Sequence, residues 1–163
     1  MDVSAFKMET MRLFQNIRTS MNQIILPIIQ SEGLTGLQAM ILFGILNGEI
    51  QNITSICTAI GMGQANASTM CKKLERDGFL LRERSREDER VVTLTVTDKG
   101  THALHRIQQR LNTADPLLET IPMEKLETVL AGFKETEELL RLMAAYVETQ
   151  GRSTVNAGTE EHL

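Results

Sequence analysis

The spacing of apolar residues over the first thirty positions is helical, with steps of three and four residues. The residues on this stripe are Phe6, Leu13, Phe14, Ile17, Met21, Ile24, Ile25 and Ile28. Pro27 predicts a kink or the last turns of the helix, because proline lacks the amide proton that a helix interior needs. The segment Ser31, Glu32 and Gly33 then predicts its end.

Three shorter helices follow by pattern. Thr35 with Gln38 three residues later fits a capping box, and it predicts a helix over 36–46 that is apolar nearly all round and therefore buried. A short helix is predicted over 54–60, and a tight glycine turn at 61–63 separates it from a helix over 64–77. Gly78 is placed to end that last helix.

The period changes from helical to two after Gly78, which predicts strands over 80–84 and 91–96 joined by a charged loop. Thr97 predicts the start of another helix, and Pro116 and Pro122 bracket a break before a last helix. The polar segment from Thr149 predicts disorder. The expected fold class is mainly α with a small β-hairpin wing, a winged helix-turn-helix flanked by N- and C-terminal helices.

The chain is acidic overall, but its basic residues are clustered in one region. The net charge is −4, but residues 1–114 carry 13 Lys and Arg against 11 Asp and Glu, whereas residues 115–163 carry 4 against 10. The basic cluster consists of Lys72, Lys73, Arg76, Arg82, Arg84, Arg86 and Arg90. Nucleic-acid binding follows such clustering rather than the total charge. Acidic residues are interleaved with the cluster, so an ordinary solvated surface is equally compatible with the charges alone.

The helix predicted over 64–77 has two distinct faces. Ala67, Met70, Cys71 and Leu74 recur at helical spacing and are expected to face the core. The residues expected to face DNA are Gln64, Ala65, Ser68, Thr69, Lys72, Lys73 and Arg76. Short and hydroxylated side chains near the N-terminus suit base contacts in the major groove, and the cations suit phosphates. The alternative is a solvated face whose cations are favoured by the helix macrodipole.

From Leu34 to Gly100 the sequence resembles the MarR family of transcriptional regulators. The matching pieces are Leu34-Thr35 with Gln38, the run from Leu74 to Leu80 with Arg82 and Arg84, Asp88-Glu89-Arg90, and Leu94, Val96-Thr97 and Gly100. Val96 stands where the family usually has Leu. The resemblance implies a DNA-binding regulator, usually a repressor relieved by a small lipophilic or phenolic effector.

The resemblance also implies a homodimer on a pseudo-palindromic DNA duplex, with a wing whose tip contacts the minor groove. Asp88 and Arg90 match the wing signature, and Arg90 is the candidate for minor-groove insertion, whereas Arg84 and Arg86 are weaker candidates. A purely structural role for the Asp88 and Arg90 pair stays open. The expected organisation is a dimerisation helix over 1–32, a DNA-binding domain over 33–100, dimerisation helices over 101–148 and a disordered tail over 149–163.

The sequence gives little support for catalysis, metal binding or redox sensing. No catalytic constellation is apparent, so we expect neither an enzyme nor a cofactor. His102 and His105 lie three apart without an obvious third ligand, and Cys57 and Cys71 fall on faces expected to be inert. Redox or metal sensing and an antirepressor-like interaction module are the alternative functions. No apolar run is long enough for a membrane span and the N-terminus lacks signal-peptide order, so a cytoplasmic protein is expected.

Overall fold

The computed structural model describes residues 2–84 and 92–157, with side chains for 2–83 and 92–149. The elements are α1 (Val3–Ser31), α2 (Gly36–Leu46), α3 (Ile53–Ile60), α4 (Gln64–Arg76), β1 (Leu80–Arg84), β2 (Val92–Val96), α5 (Asp98–Leu111), a 3-10 turn (Asn112–Ala114), α6 (Asp115–Glu119) and α7 (Met123–Ala157). They divide into two compact units, Met1–Thr113 and Ala114–Leu163. The predicted fold class, mainly α with a small hairpin, is confirmed.

Local side chains fix where α2 and α3 begin. The predicted capping box is present: the Gln38 amide donates to Thr35 Oγ1 at 3.3 Å, and the Thr35 amide donates to Gln38 Oε1 at 2.9 Å. Asn52 and Ser55 form a second box at the start of α3, so α3 begins one residue earlier than predicted. These contacts satisfy amide protons that have no partner inside the helix.

The core of the first unit lies between α2, the inner faces of α3, α4 and α5, and the hairpin. Its largest fully buried side chains are Ile41, Leu42, Ile56, Leu74, Leu80, Leu104, Ile107 and Cys71. Strands β1 and β2 pair antiparallel, with Leu80 opposite Val96 and Arg84 opposite Val92. The Leu94 amide also donates to the Gln51 carbonyl at 3.1 Å, which ties the hairpin to the segment before α3.

The end of α1 is joined to α5 by an ion pair. Arg106 donates from Nε and Nη2 to Glu32 Oε2, at 2.8 and 2.6 Å. These hydrogen bonds hold the pKa of the Glu32 carboxyl below its usual range. The contact therefore stabilises the fold at neutral pH and is lost as the pH falls through the lowered pKa.

The start of α5 is packed against the end of α4 at very short range. Thr97 begins α5 by accepting from the Gly100 amide at 3.1 Å, and its hydroxyl donates to the Gly78 carbonyl at 2.7 Å. A Cβ on Gly100 would lie 2.5 Å from the Phe79 carbonyl oxygen and 2.6 Å from Val96 Cγ1. Only glycine therefore fits at this position without moving the backbone.

The second unit begins with a short helix that the sequence did not predict. The region bracketed by the two prolines contains the short helix α6, because Pro116 lies in its first turn, where a missing amide proton costs nothing. α7 spans Met123–Ala157, and the disordered tail expected over 149–163 stays a prediction. Residues 158–163 lie outside the described part.

Within the described residues, no single helix is long and apolar enough to cross a membrane. The pair α1 and α2 passes that test by length and composition, but the two helices are bent by 78° at the break between them.

Replacing Gly100 with alanine should destabilise the protein by roughly 1–3 kcal/mol, the usual range for overpacking a tight site. The added methyl group would meet backbone on one side and a side chain on the other. Urea unfolding at fixed protein concentration measures the change. The matched control is Gly132→Ala, since a Cβ there meets nothing within 4 Å. The control should be neutral or stabilising by about 0.5–1 kcal/mol. Equal midpoints for the two variants would contradict the packing argument.

Candidate nucleic-acid interface

α4 buries one face completely. Ala67, Cys71 and Leu74 have no exposed surface, and Met70 is half-buried beside them. The inward face predicted from the helical period is therefore the face that packs. Because four positions anchor the helix, the side chains opposite them take no part in the core.

The opposite face is open to solvent. Six of the seven residues predicted to face DNA are exposed on α4, and Ser68 is half-buried: the exposed ones are Gln64, Ala65, Thr69, Lys72, Lys73 and Arg76. The Thr69 hydroxyl donates to the Ala65 carbonyl at 2.9 Å, so its oxygen keeps its acceptor capacity and its methyl group stays available. This face can approach another surface closely because its first two turns carry short side chains.

The N-terminal end of α4 is reached through a sharp turn from α3. Gly61 ends α3 in the left-handed conformation, with φ of 71°, which a residue with a Cβ rarely adopts. Gly63 begins α4 without a side-chain cap. No side chain therefore caps the amide protons in the first turn of α4.

The cations of α4 differ in their partners. Arg76 Nε contacts the carboxylate of the adjacent Asp77 at 3.1 Å. Within the described part of the chain, Lys72 and Lys73 form no ion pair. Two ammonium groups are therefore available to anions beside the short side chains.

The hairpin brings Arg82 to α4, a residue of the basic cluster that the sequence did not place among the residues facing DNA. Arg82 on β1 has only 17% of its side chain exposed, and its Nη1 lies 3.7 Å from Glu75 Oε2. Among the described atoms its Nε is buried without a hydrogen-bond partner. Arg82 thus braces the wing strand against α4 rather than contributing to the exposed basic surface.

The other predicted wing residues lie wholly or partly outside the described residues. Arg84 ends β1, opposite Val92, but its side chain lies outside the described set. Arg86, Asp88 and Arg90 also lie outside the described residues.

The two cysteines occupy different environments. Cys71 is fully buried on α4, whereas Cys57 on α3 is half-buried. Burial raises the pKa of the Cys71 thiol, against the opposing effect of the nearby Arg82 guanidinium. A buried thiol with a raised pKa is a poor nucleophile, which argues against redox sensing through this residue.

The histidines of α5 offer no metal site with their neighbours. His102 and His105 are both exposed. No group of three or more His, Cys, Asp or Glu in the described segments is arranged to hold a metal ion. His162 lies outside those segments.

Two short helices joined by a glycine turn, a two-stranded hairpin and a helix packed against it define a winged helix-turn-helix. The chain belongs to the transcriptional regulator SarA/Rot family, whose family model matches residues 23–107, just over half of the chain. Membership places it among transcriptional regulators rather than in an enzyme family. The predicted resemblance to MarR regulators is confirmed by this match together with the similar solved structures of MarR proteins.

Individual relatives show the same class. The HTH-type transcriptional regulator SarZ of Staphylococcus haemolyticus is 32% identical over 72 residues, which are 44% of this chain and 49% of that protein. The match thus spans about half the length of this curated relative.

Two solved structures are similar over most of the chain. The transcriptional repressor CouR bound to a 23-mer DNA duplex superposes with a TM-score of 0.64 at 26% identity, over 74% of this chain and 87% of CouR. Staphylococcus aureus MarR in complex with salicylate and kanamycin gives a TM-score of 0.70 at 21% identity, over 83% of this chain and 93% of that protein.

Thiol labelling should distinguish the two cysteines. In single-cysteine variants, Cys57→Ser and Cys71→Ser, the remaining Cys71 should react on the order of 100-fold more slowly than the remaining Cys57 at pH 7.5, because its modification requires local opening of α4. Both should react alike in urea, which is the control for intrinsic reactivity. If Cys71 reacted as fast as Cys57 in the folded protein, the buried position of Cys71 would be contradicted.

Proposed function

We propose that this protein is a sequence-specific regulator of transcription that binds duplex DNA by inserting α4 into the major groove. The observation that carries the proposal is the division of α4, whose inner face is fully buried while the outer face presents hydroxyl, amide and cationic groups. The buried face fixes the helix in its own protein, and the exposed face is free to contact base edges in the major groove of DNA. A regulator of this kind would act in the cytoplasm, as expected from the sequence.

The residues of α4 divide into two roles. Gln64, Ala65, Ser68 and Thr69 lie in the first two turns, where side chains reach base edges and the thymine methyl group. Lys72, Lys73 and Arg76 lie in the later turns and bind phosphates that flank the groove. Base contacts supply specificity, and phosphate contacts supply most of the salt-dependent affinity.

The wing makes the second contact with DNA. Arg90 enters the minor groove, where the negative potential of a narrow groove attracts a guanidinium. Asp88 orients Arg90, and Arg84 and Arg86 contact the flanking backbone. The antiparallel register of β1 and β2 supports this role, because it fixes both strands that lead into and out of the wing.

A homodimer is the form that binds. α1 leaves Phe6, Leu13, Met21 and Ile24 at least 40% exposed. α7 also carries exposed apolar side chains, among them Val129, Leu130, Phe133, Leu140, Leu142, Met143, Tyr146 and Val147. A second copy of the chain covers such faces, and its two-fold axis matches a pseudo-palindrome with half-sites about 10 bp apart.

The regulator acts as a repressor that a small lipophilic or phenolic effector relieves. Support comes from a groove of about 460 Å³ between α1 and α2, lined mainly by apolar side chains that include Phe14, Ile17, Met21 and Met40. An apolar groove with few polar groups suits an aromatic ligand. The similar S. aureus MarR was solved with salicylate and kanamycin.

The phosphate role of Lys72 predicts a change in salt dependence. Duplexes selected from a random-sequence pool with the wild-type protein serve as the operator, and affinity is measured across a salt series. Lys72→Ala should lower affinity roughly 10- to 100-fold and reduce the slope of log K against log salt by about 1.8, because each of the two protomers loses one phosphate contact.

The matched control is Lys125→Ala, which removes one exposed cation from α7. It should leave both affinity and slope close to the wild-type values. Equal affinity of the wild-type protein for all sequences would rule out a specific regulator. An unchanged slope for Lys72→Ala would remove Lys72 from the interface.

The dimer proposal predicts that a charge on α1 separates the chains. Leu13 is 49% exposed, and Leu13→Glu should convert a dimer into a species of 18.3 kDa, because an unpaired carboxylate cannot be buried in an apolar interface. Sedimentation velocity at micromolar concentration measures the mass. Gln15→Glu, on an exposed position of the same helix, adds the same charge and should remain dimeric. A wild-type protein that sediments as a monomer would refute the dimer.

A further inference from the structure

The C-terminal end of α4 is held by groups that come from α5. The Lys99 ammonium donates to the Asp77 carbonyl at 2.6 Å, and the Thr97 hydroxyl donates to the Gly78 carbonyl at 2.7 Å. Asp77 is the C-cap of α4, so its carbonyl has no partner inside the helix. A cation at this end is also favoured by the negative pole of the helix macrodipole.

Lys99 makes further contacts that fix the position of its side chain. Its Nζ lies 4.4 Å from the centre of the Phe79 ring, within the range of a cation–π contact. Its Cδ lies 3.7 Å from the position that a Cβ on Gly78 would occupy. Phe79 is itself buried in the core. The Lys99 side chain therefore packs against the core at the end of α4, although the residue as a whole is exposed.

The orientation of the Lys99 ammonium separates it from the cations of α4. Lys72 and Lys73 project from the exposed face, and Arg76 contacts the adjacent carboxylate on its own segment. Lys99 instead donates to backbone across 22 residues of sequence. Its ammonium contacts the end of α4 and the Phe79 ring, and it does not belong to the exposed face of α4.

We propose that Lys99 is a positioning residue for DNA binding, which fixes the angle of α4 relative to α5 without touching DNA. The proposal rests on the proposed function, in that α4 must enter the major groove for its angle to affect affinity. A helix that is free to tilt at its C-terminal end loses the register of its N-terminal side chains against the bases. Lys99 therefore acts on every base contact of α4 at once.

The test compares Lys99→Met and Lys99→Arg with the wild-type protein on the selected operator. Methionine keeps an apolar stem but loses the charge-assisted donor, so affinity should fall roughly 10-fold, because both copies of α4 in the dimer lose this contact. The slope of log K against log salt should stay unchanged. Arginine keeps a cationic donor and should retain most of the affinity. Lys125→Met on α7 is the control for loss of one positive charge.

Amide hydrogen exchange at Phe79 provides a readout that needs no DNA. The Phe79 amide donates to the Leu74 carbonyl at 2.9 Å, so its protection reports the closure of the last turn of α4. Lys99→Met should exchange several-fold faster at this amide, with Lys99→Arg close to wild type. Thermal unfolding verifies that each variant is folded.

Three results would overturn the proposal. A Lys99→Met affinity equal to wild type removes the role, and a slope reduced by about 1.8, one phosphate contact for each protomer, shows that Lys99 contacts DNA directly. Unchanged exchange at Phe79 shows that Lys99 does not hold the end of α4. If the wild-type protein selects no DNA, the proposed function fails, and exchange at Phe79 still decides whether Lys99 holds the helix.

Discussion

The winged unit depends on one close approach, where the start of α5 meets the carbonyl of Phe79. Gly100 has no room for a Cβ there, and Thr97 uses a single hydroxyl both to begin α5 and to bind the Gly78 carbonyl. Because these contacts join the end of α4, the base of the hairpin and the first turn of α5, the three elements form a single block. The placement of the exposed face of α4 is a property of that block rather than of the helix alone.

The elements of the first unit could be predicted from the sequence because their ends are set by neighbours within four residues. Thr35 and Gln38 cap α2 as the capping box predicts, and Gly78 takes the left-handed conformation that ends α4. The change of period after Gly78 locates both strands to within one residue. The two faces of α4 follow from helical spacing, and the structure places its predicted residues on the open side. Their contacts with DNA stay a prediction.

The features that the sequence did not reveal involve residues far apart along the chain. Arg82 belongs to a cluster of basic residues and looks like a surface cation, yet it is mostly buried because it spans from β1 to Glu75 on α4. Lys99 has no local signal for its contact with Asp77, which lies 22 residues away. The helix α6 was missed for a different reason: Pro116 indicates a break in the pattern, but a proline in the first turn of a helix leaves the helix intact.

The separation of the two faces of α4 also has an evolutionary consequence. The residues that hold the helix, Ala67, Cys71 and Leu74, share no position with those that face outward. Substitutions at Ala65, Thr69 or Lys72 can therefore accumulate with little effect on folding, since surface changes away from the core usually cost little stability. The scaffold can drift towards new targets while its core stays fixed. Duplicated copies of such a chain can diverge in what they recognise long before they diverge in fold.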